Sequence, residues 1–340
     1  MRTIGRWRLV GVLCGALLVA STAGRAEAPA AASPEALRAV VALHVTVPVE
    51  ARSAATLGRE RAGNGVVIDS AGLIVTIGYL IMEASAIEVV ADGKTVPASV
   101  VGYDNETGFG LVRASQPLDI KPLPLGSSRR IAERAPALAA AAGGLAAAQP
   151  VVIVAKRRFA GYWEYMLDEA IFTAPPIAEF GGAALIDPAG RLIGVGSLLV
   201  GDAGANPRDA GNVPGNMPGN MFVPIDLLKP ILADLLALGR SSTPAHPWLG
   251  INTQEAHGRL FIAKVAPEAP AAQAGLRAGD VILAVGDRPV ETLKQLYDAI
   301  WALGPAGVEV PVIVQRRADQ TRIVVKSIDR LSFLKTGITY

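Results

Sequence analysis

The chain is poor in the residues that bind metals and form covalent cross-links. Its 340 residues include one cysteine, Cys14, and three histidines, His44, His246 and His257. Cys14 lies in an N-terminal segment that we expect to be removed, so the mature chain would hold no thiolate and form no disulfide. Three histidines far apart in the sequence also argue against a structural zinc site. We therefore predict no metal and no cofactor.

Charged and aromatic residues are also scarce. They make up 18% and 5% of the chain, while 51% of its residues are hydrophobic, which indicates a folded globular protein rather than a disordered one. Of the 32 lysines and arginines, four (Arg2, Arg6, Arg8 and Arg25) lie in the first 26 residues, which leaves 28 basic against 30 acidic residues. The remaining chain has no excess of positive charge, so we expect no nucleic-acid partner.

Residues 1–26 have the features of a secretory signal peptide. Three arginines precede an apolar run over residues 9–23, and Gly24-Arg25-Ala26 offers small residues at a cleavage site. The apolar run is shorter than the roughly 20 residues that a membrane-spanning helix needs. We predict export to the periplasm and no integral membrane span after cleavage. The alternative is an uncleaved leader that anchors the protein in the inner membrane.

Short apolar runs joined by turn residues follow the leader. Asp69-Ser70-Ala71-Gly72 and Asp92-Gly93 each separate two β-branched runs, which is a strong hairpin signal. Further runs at residues 151–154, 170–173, 183–186 and 192–195 continue the pattern. Strands this short, without helices between them, are typical of a β-barrel. Residues 221–239 instead carry leucines at helical spacing and predict a helix that ends at Gly239.

One stretch decides how this β-rich region is interpreted. Residues 177–185 contain Phe180-Gly181-Gly182 before an apolar run, and an Asp-Pro-Ala-Gly turn follows at residues 187–190. The pattern resembles the loop that carries the nucleophilic serine in the HtrA/DegP-type trypsin-like serine protease family, with Phe180 at the position of the serine. Residues 64–76, 123–128 and 222–225 resemble other segments of that family. The resemblance implies a mainly β fold, a chymotrypsin-like double β-barrel, over residues 38–240.

The same resemblance places Tyr79 at the position of the family's histidine and Gly108 at that of its aspartate. A catalytic triad needs a nucleophilic oxygen, an imidazole base and a carboxylate that orients the base. No histidine lies between residues 45 and 245. We therefore expect a protein that is not an enzyme, with no catalytic residue and a degenerate triad at Tyr79, Gly108 and Phe180.

Two alternatives to an inactive protein stay open at this point. The first is endopeptidase activity from unrecognised residues, for example a serine–lysine dyad that uses Ser85, Ser127 or Ser197. The second is chaperone-like holding of unfolded chains, which needs no triad.

Residues 246–330 resemble a PDZ domain of the HtrA type, a smaller α+β module. Residues 247–251 resemble its carboxylate-binding loop, and residues 274–282, Ala-Gly-Leu-Arg-Ala-Gly-Asp-Val-Ile, resemble its most diagnostic segment. The resemblance implies that peptides bind by strand addition. The residues expected to bind them are Trp248, Leu249, Gly250 and Ile251, with Leu249, Gly250 and Ile251 donating backbone N–H groups to the ligand carboxylate. Leu296 and Ile300, one turn apart on a helix capped by Thr292, would line the apolar pocket.

Taken together, the sequence predicts a catalytically inactive, HtrA-like periplasmic adaptor. Its partners would be protein C-termini or unfolded peptides, bound in the PDZ groove during envelope protein quality control. Homo-oligomerisation has no support, because the region between the leader and Val40 lacks the aromatic residues through which related proteases form trimers.

Overall fold

A computed structural model describes residues 33–205 and 217–335. It contains two closed six-stranded barrels and one open six-stranded sheet, so the predicted mainly β fold is confirmed. The predicted leader, residues 1–26, lies outside the described residues. In the two described ranges, no helix is both long enough and apolar enough to cross a membrane.

The first barrel has antiparallel strands in the order β1-β2-β3-β6-β5-β4. These are β1 (Val40–Thr46), β2 (Glu60–Val67), β3 (Leu73–Ile77), β4 (Ala86–Ala91), β5 (Lys94–Tyr103) and β6 (Phe109–Ala114), with short helices α1 (Pro34–Leu37), α2 (Ala54–Leu57) and α3 (Gly78–Ile81). Both predicted hairpins form. Between β2 and β3, Asp69 accepts a 2.7 Å hydrogen bond from the N–H of Leu73. Between β4 and β5, Asp92 and Gly93 have φ of 49° and 75°, as a two-residue hairpin turn requires.

The second barrel has the strand order β10-β11-β12-β9-β8-β7. These strands are β7 (Pro136–Ala140), β8 (Ala148–Gly161), β9 (Tyr165–Ala174), β10 (Ala184–Ile186), β11 (Leu192–Val200) and β12 (Gly219–Pro224). Three 3-10 turns accompany the barrel, at Ser128–Arg130, Gly144–Ala147 and Ile225–Leu227. The longest hairpin joins β8 to β9 and extends toward the third sheet.

The helix predicted over residues 221–239 is only partly present. Met221 and Phe222 pair with Phe172 and Ile171 in β9, so this part of the segment is strand β12. Helix α4 (Leu232–Leu238) begins later and ends at Gly239, as predicted. The prediction was wrong at its start because hydrogen bonds to two neighbouring strands outweigh the helical spacing of the leucines. Pro230 also lacks the N–H that a continuous helix would use.

The third sheet has the order β13-β14-β15-β17-β18, and the short strand β16 pairs with β15. Its strands are β13 (Ile251–Ala256), β14 (Arg259–Val265), β15 (Val281–Val285), β16 (Arg288–Pro289), β17 (Glu309–Arg316) and β18 (Asp319–Lys326), with helices α5 (Pro270–Ala274), α6 (Leu293–Trp301) and α7 (Arg330–Phe333). Thr292 caps α6 in a capping box with Gln295, as predicted for Thr292. Strand β13 lies at the sheet edge, where a further segment can be added.

The second barrel and the third sheet share a hydrophobic cluster. Met166 of β9 is buried in the same cluster as Leu249, Leu296 and Ile300, and Ala160 of β8 packs against it. The β8–β9 hairpin is therefore in direct contact with the third sheet.

Candidate functional site

The loop before β10 is fastened to the first barrel by Asn64. The side-chain amide of Asn64 donates hydrogen bonds of 2.9 Å and 3.0 Å to the carbonyls of Glu179 and Gly181. The N–H of Asn64 donates a third bond, of 2.8 Å, to the same Gly181 carbonyl. Gly182 has φ of 76°, and a Cβ there would lie 1.8 Å from the Asn64 carbonyl oxygen. The fit is so close that only glycine can occupy this position.

Tyr79, on α3, reaches across to this loop. Its hydroxyl donates a 3.0 Å hydrogen bond to the carbonyl of Ser197 in β11, and it lies 2.9 Å from where a Cβ on Gly181 would be. Burial raises the pKa of Tyr79 well above its usual value of 10. The phenol is therefore neutral and acts as a hydrogen-bond donor between the two barrels.

Phe180 lies in the same loop, and its partly buried side chain packs against the core of the second barrel. That cluster includes Ile177, Ala183 and Ile193. The structure therefore places Tyr79 against the loop that contains Phe180.

Gly108 lies in the turn before β6, where φ is 83°. Its carbonyl accepts a 2.7 Å hydrogen bond from the N–H of Gly78, the first residue of α3. A Cβ on Gly108 would lie 3.0 Å from the hydroxyl of Tyr165 in the second barrel. Gly108 thus joins the turn to the helix of Tyr79 through its backbone.

The three serines considered as alternative nucleophiles lie in different surroundings. Ser197 is buried in β11, beside the hydroxyl of Tyr79. Ser127 donates a 2.9 Å hydrogen bond to Asp226, and the same carboxylate pairs with Lys229. Ser85 donates a 3.1 Å hydrogen bond to a carbonyl of β1 on the exposed side of the first barrel.

A second candidate site is the loop that leads into β13. The N–H groups of Leu249, Gly250 and Ile251 converge on one carboxylate, that of Glu164, with distances of 2.7 Å, 2.7 Å and 2.9 Å. Gly250 has φ of 85°, and a Cβ there would lie 2.3 Å from the Cβ of Ala269. The left-handed glycine turns three successive N–H groups toward one point, which is the arrangement that binds an anion.

Trp248 has a different role from the other three residues of this loop. Its N–H donates a 3.1 Å hydrogen bond to the carbonyl of Ile328, and its ring lies 4.8 Å from that of Phe333. Trp248 therefore fixes the start of the loop and contributes no donor to the carboxylate.

Glu164 lies at the tip of the β8–β9 hairpin, in the second barrel. Burial raises the pKa of the Glu164 carboxyl to about 7, while the three N–H bonds and the nearby Arg330 act in the opposite direction. The N–H of Glu164 donates a 3.1 Å hydrogen bond to the hydroxyl of Tyr297 on α6. That hydroxyl itself donates a 2.6 Å bond to the carbonyl of Gly161.

The two predicted pocket residues, Leu296 and Ile300, are 0% and 1% exposed. They lie on α6, across from β13, in the cluster that also contains Met166. In the described structure these side chains are therefore buried in that cluster, mostly among residues of the third sheet and its helices, and are not open to solvent.

Glu164 and Tyr297 were not among the residues predicted for this site. Their only signal in the sequence is the density of aromatic residues around Glu164, where Phe159, Tyr162, Trp163 and Tyr165 occur within seven positions of a chain that has 5% aromatic residues. Nothing local connects that segment to a loop about 85 residues later.

Comparison with known proteins identifies both parts of the chain. Residues 63–195 match the trypsin-like peptidase domain, and residues 247–326 match the PDZ domain. Two solved structures of the HtrA-type protease AlgW, one with decapeptide and one with tripeptide, superpose with TM-scores of 0.51 and 0.50 at 20% identity. The first covers 92% of this chain and 100% of its own, and the second covers 87% and 95%. This chain therefore joins a region similar to the trypsin-like peptidase domain to a region similar to the PDZ domain, and it has the fold of the HtrA-type protease structures.

Curated relatives agree with this domain composition. Serine protease PepD of Mycobacterium tuberculosis is 29% identical over 79% of this chain and 61% of its own length. Periplasmic serine endoprotease DegP of Salmonella typhimurium is 26% identical over 73% and 53%. Serine endoprotease DegS of Escherichia coli is 24% identical over 77% and 75%. The chain thus spans little more than half the length of the first two.

These relatives correct one prediction. Tyr79, Gly108 and Phe180 at the positions of the triad predict a protein that is not an enzyme. That prediction is contradicted, because relatives that match about three quarters of the chain are named serine proteases or endoproteases. Three positions that are identified by resemblance alone do not exclude a whole class of activity.

Proposed function

We propose that this protein recognises the carboxyl-terminal ends of other polypeptides through its PDZ domain. One observation carries the proposal: the N–H groups of Leu249, Gly250 and Ile251 bind a carboxylate at 2.7–2.9 Å. A chain end presents the same two oxygens and the same negative charge. Hydrogen bonds from N–H groups to an ionised acceptor are among the stronger ones in proteins.

The edge strand β13 supports the same function. The N–H of Thr253 donates a 2.8 Å hydrogen bond to the carbonyl of Tyr162, so the edge accepts an extended segment alongside it. Strand addition of this kind supplies affinity through the main chain, whereas apolar pockets supply specificity. Leu296 and Ile300 are suited to an apolar last side chain, and Trp248, which fixes the start of the loop, completes the proposed peptide-binding set.

The test compares two fluorescein-labelled peptides that end in leucine, one with a free carboxylate and one amidated. Both are titrated against the full chain by fluorescence anisotropy. The amide lacks the charge and one acceptor oxygen, and a hydrogen bond to a charged group contributes about 1.5–3 kcal/mol. We expect the amide to bind roughly ten- to a hundredfold more weakly. Equal affinity for the two peptides would contradict the proposal.

A second candidate function is endopeptidase activity at the junction of the two barrels, which the names of the relatives favour. The assay is cleavage of β-casein, together with labelling by a fluorophosphonate probe and mapping of the labelled residue. Cleavage that is abolished by Ser197→Ala, Ser127→Ala or Ser85→Ala would identify the nucleophile. Suppressed aggregation of unfolded protein without cleavage would instead indicate a holding activity.

The proposed location is the periplasm, with a role in envelope protein quality control. Relatives from two organisms carry the word periplasmic in their names. The leader predicted over residues 1–26 would supply the export signal. Fractionation of cells that express the full chain tests both statements, because a cleaved periplasmic form would be shorter at its N-terminus.

A further inference from the structure

We propose that residues 161–164, the tip of the β8–β9 hairpin, are an internal ligand of the PDZ domain that external chain ends must displace. We call this segment the hairpin tip. The inference rests on the proposed function, because it concerns access to the same binding loop. It assigns to the second barrel a role in controlling when the PDZ groove is available.

The carboxylate of Glu164 occupies the position expected for the end of a bound peptide. All three N–H groups of the loop donate to its two oxygens: Leu249 to Oε1, and Gly250 and Ile251 to Oε2. A second carboxylate cannot use the same three donors at the same time. Binding of an external chain end therefore requires Glu164 to leave.

The main chain of the hairpin tip also follows the pattern of an added strand. Tyr162 is two residues before Glu164, and its carbonyl accepts a hydrogen bond from Thr253, which is two residues after Ile251. Alternate residues of a strand face the same neighbour, so a spacing of two on both segments is what an added strand requires. The hairpin tip thus covers the edge of β13 as well as the loop.

Helix α6 closes the other side of the hairpin tip. The hydroxyl of Tyr297 donates to the carbonyl of Gly161 at 2.6 Å and accepts from the N–H of Glu164 at 3.1 Å. Arg158, on β8, donates two hydrogen bonds of 2.7 Å and 2.6 Å to the carboxylate of Asp298 on the same helix. The hairpin tip therefore lies between β13 and α6, the two walls of the groove.

The hairpin tip is held without covalent attachment, so exchange with an outside peptide is chemically simple. An external carboxylate would regain the three hydrogen bonds that Glu164 gives up. Because the hairpin tip is part of the same chain, its effective concentration is high. The apparent affinity for outside peptides is then the intrinsic affinity multiplied by the fraction of molecules with an open groove.

The first experiment measures peptide affinity in four forms of the full chain: the unmodified protein, Glu164→Gln, Tyr297→Phe and the control Glu169→Gln. Glu169 is on the same hairpin, where it pairs with Lys156 at 3.2 Å, away from the groove. The probe is the fluorescein-labelled peptide ending in leucine with a free carboxylate. Circular dichroism confirms that each variant is folded.

We expect Glu164→Gln to bind the peptide at least ~10-fold more tightly than the unmodified chain, because the amide keeps one acceptor oxygen and its NH2 group cannot accept the N–H bonds of Gly250 and Ile251. Tyr297→Phe should tighten binding about threefold, since it removes one neutral hydroxyl. Glu169→Gln should leave the affinity unchanged.

Unchanged affinity in Glu164→Gln, while the unmodified chain still prefers the free acid to the amide, would overturn the inference alone. A chain that shows no such preference in any variant would overturn the proposed function and this inference with it.

The second experiment needs no variant. Hydrogen exchange is measured on the unmodified chain, with and without saturating peptide, over residues 160–166 and 249–253. We expect the peptide to accelerate exchange in residues 160–166, which leave the groove, while residues 249–253 stay protected by the new ligand. Continued protection of residues 160–166 in the saturated protein would show that the peptide binds without displacing the hairpin tip.

Discussion

The Oε2 atom of Glu164 accepts a 2.7 Å hydrogen bond from the N–H of Gly250, a residue 86 positions later in the chain. Glu164 belongs to the second barrel, whereas Gly250 belongs to the carboxylate-binding loop of the PDZ domain. The contact makes the ionisation of a barrel side chain part of the energetics of the PDZ loop. A substitution at Glu164 should therefore alter the PDZ loop, and a substitution at Gly250 should alter the environment of Glu164.

The stability of the protein should depend on pH through Glu164. Burial raises the pKa of its carboxyl from 4.5 to about 7 in the folded chain, with Arg330 acting in the opposite direction. The ring of Tyr297 also faces the Glu164 carboxyl. Glu164 lines a cavity of about 490 Å³ together with Glu106 and His246. A raised pKa means that the folded chain holds the proton more tightly than the unfolded chain. The contribution of protonated Glu164 to the free energy of unfolding is therefore fully present below pH 4.5, and it is lost as the pH rises through 7.

The measurement compares the unmodified chain with Glu164→Gln in urea unfolding between pH 5 and pH 8. We expect the free energy of unfolding of the unmodified chain, relative to the variant, to fall over this range by up to about 3 kcal/mol. The variant lacks the Glu164 carboxyl, so the difference in free energy of unfolding between the two proteins cancels the contributions of all other titrating groups. A relative stability that instead increases with pH would contradict a raised pKa.

Gly250→Ala should destabilise the PDZ domain more than the matched change Gly258→Ala. Both glycines have positive φ, 85° and 67°, but a Cβ on Gly250 would lie 2.3 Å from the Cβ of Ala269, whereas no atom lies within 4 Å of a Cβ on Gly258. Gly258→Ala introduces backbone strain alone and should lower the free energy of unfolding by about 1 kcal/mol. Gly250→Ala adds the clash with Ala269 and should lower it by about 3 kcal/mol. Urea unfolding followed by tryptophan fluorescence measures both. Equal losses would mean that the loop relaxes around the new methyl group.

Asn64→Ala should loosen the loop of Phe180. The change removes two hydrogen bonds, of 2.9 Å and 3.0 Å, to the carbonyls of Glu179 and Gly181, and it leaves the N–H of Ala142 without its side-chain acceptor. Asn64 is 4% exposed, so we expect a loss of about 3 kcal/mol in the free energy of unfolding.

The control for Asn64 is Gln149→Ala. The amide of Gln149 also donates to two carbonyls, those of Pro175 and Pro176, but both distances are 3.5 Å and the first contact is exposed. We expect this control to cost about 0.5 kcal/mol or less. A loss in Asn64→Ala no larger than that of the control would show that the loop is held by backbone contacts alone.

Asp298→Asn should weaken the attachment of the hairpin tip, whereas Asp168→Asn should not. Arg158 contacts both carboxylates, but Asp298 belongs to α6 and Asp168 to the same hairpin as Arg158. Because the pair with Asp298 is partly exposed, its contribution is about 0.5–1 kcal/mol, and peptide affinity should rise about threefold. In 0.5 M NaCl the two variants should become equal, since salt screens exposed pairs. If Asp168→Asn raised the peptide affinity more than Asp298→Asn did, the Arg158–Asp298 pair would not be what attaches the hairpin tip to α6.

The sequence by itself determined the local features of this protein. The turns at Asp69 and at Asp92-Gly93 were predictable because their conformations depend on the side chains within the turn. The PDZ loop was assigned by resemblance, and it is a local feature because Leu249, Gly250 and Ile251 are consecutive and Gly250 supplies the left-handed residue. Two barrels were implied by resemblance, and the structure contains them.

Only the tertiary structure decided what depends on distant partners. Residues 219–224 form a strand rather than part of a helix because β9 and β11 provide hydrogen bonds on both sides. The burial of Glu164, its raised pKa and its three N–H donors all depend on a domain that begins more than 80 residues later in the chain. Electrostatic and hydrogen-bonding interactions act through space, so the pairing of Glu164 with Gly250 exists only once the two domains are in contact.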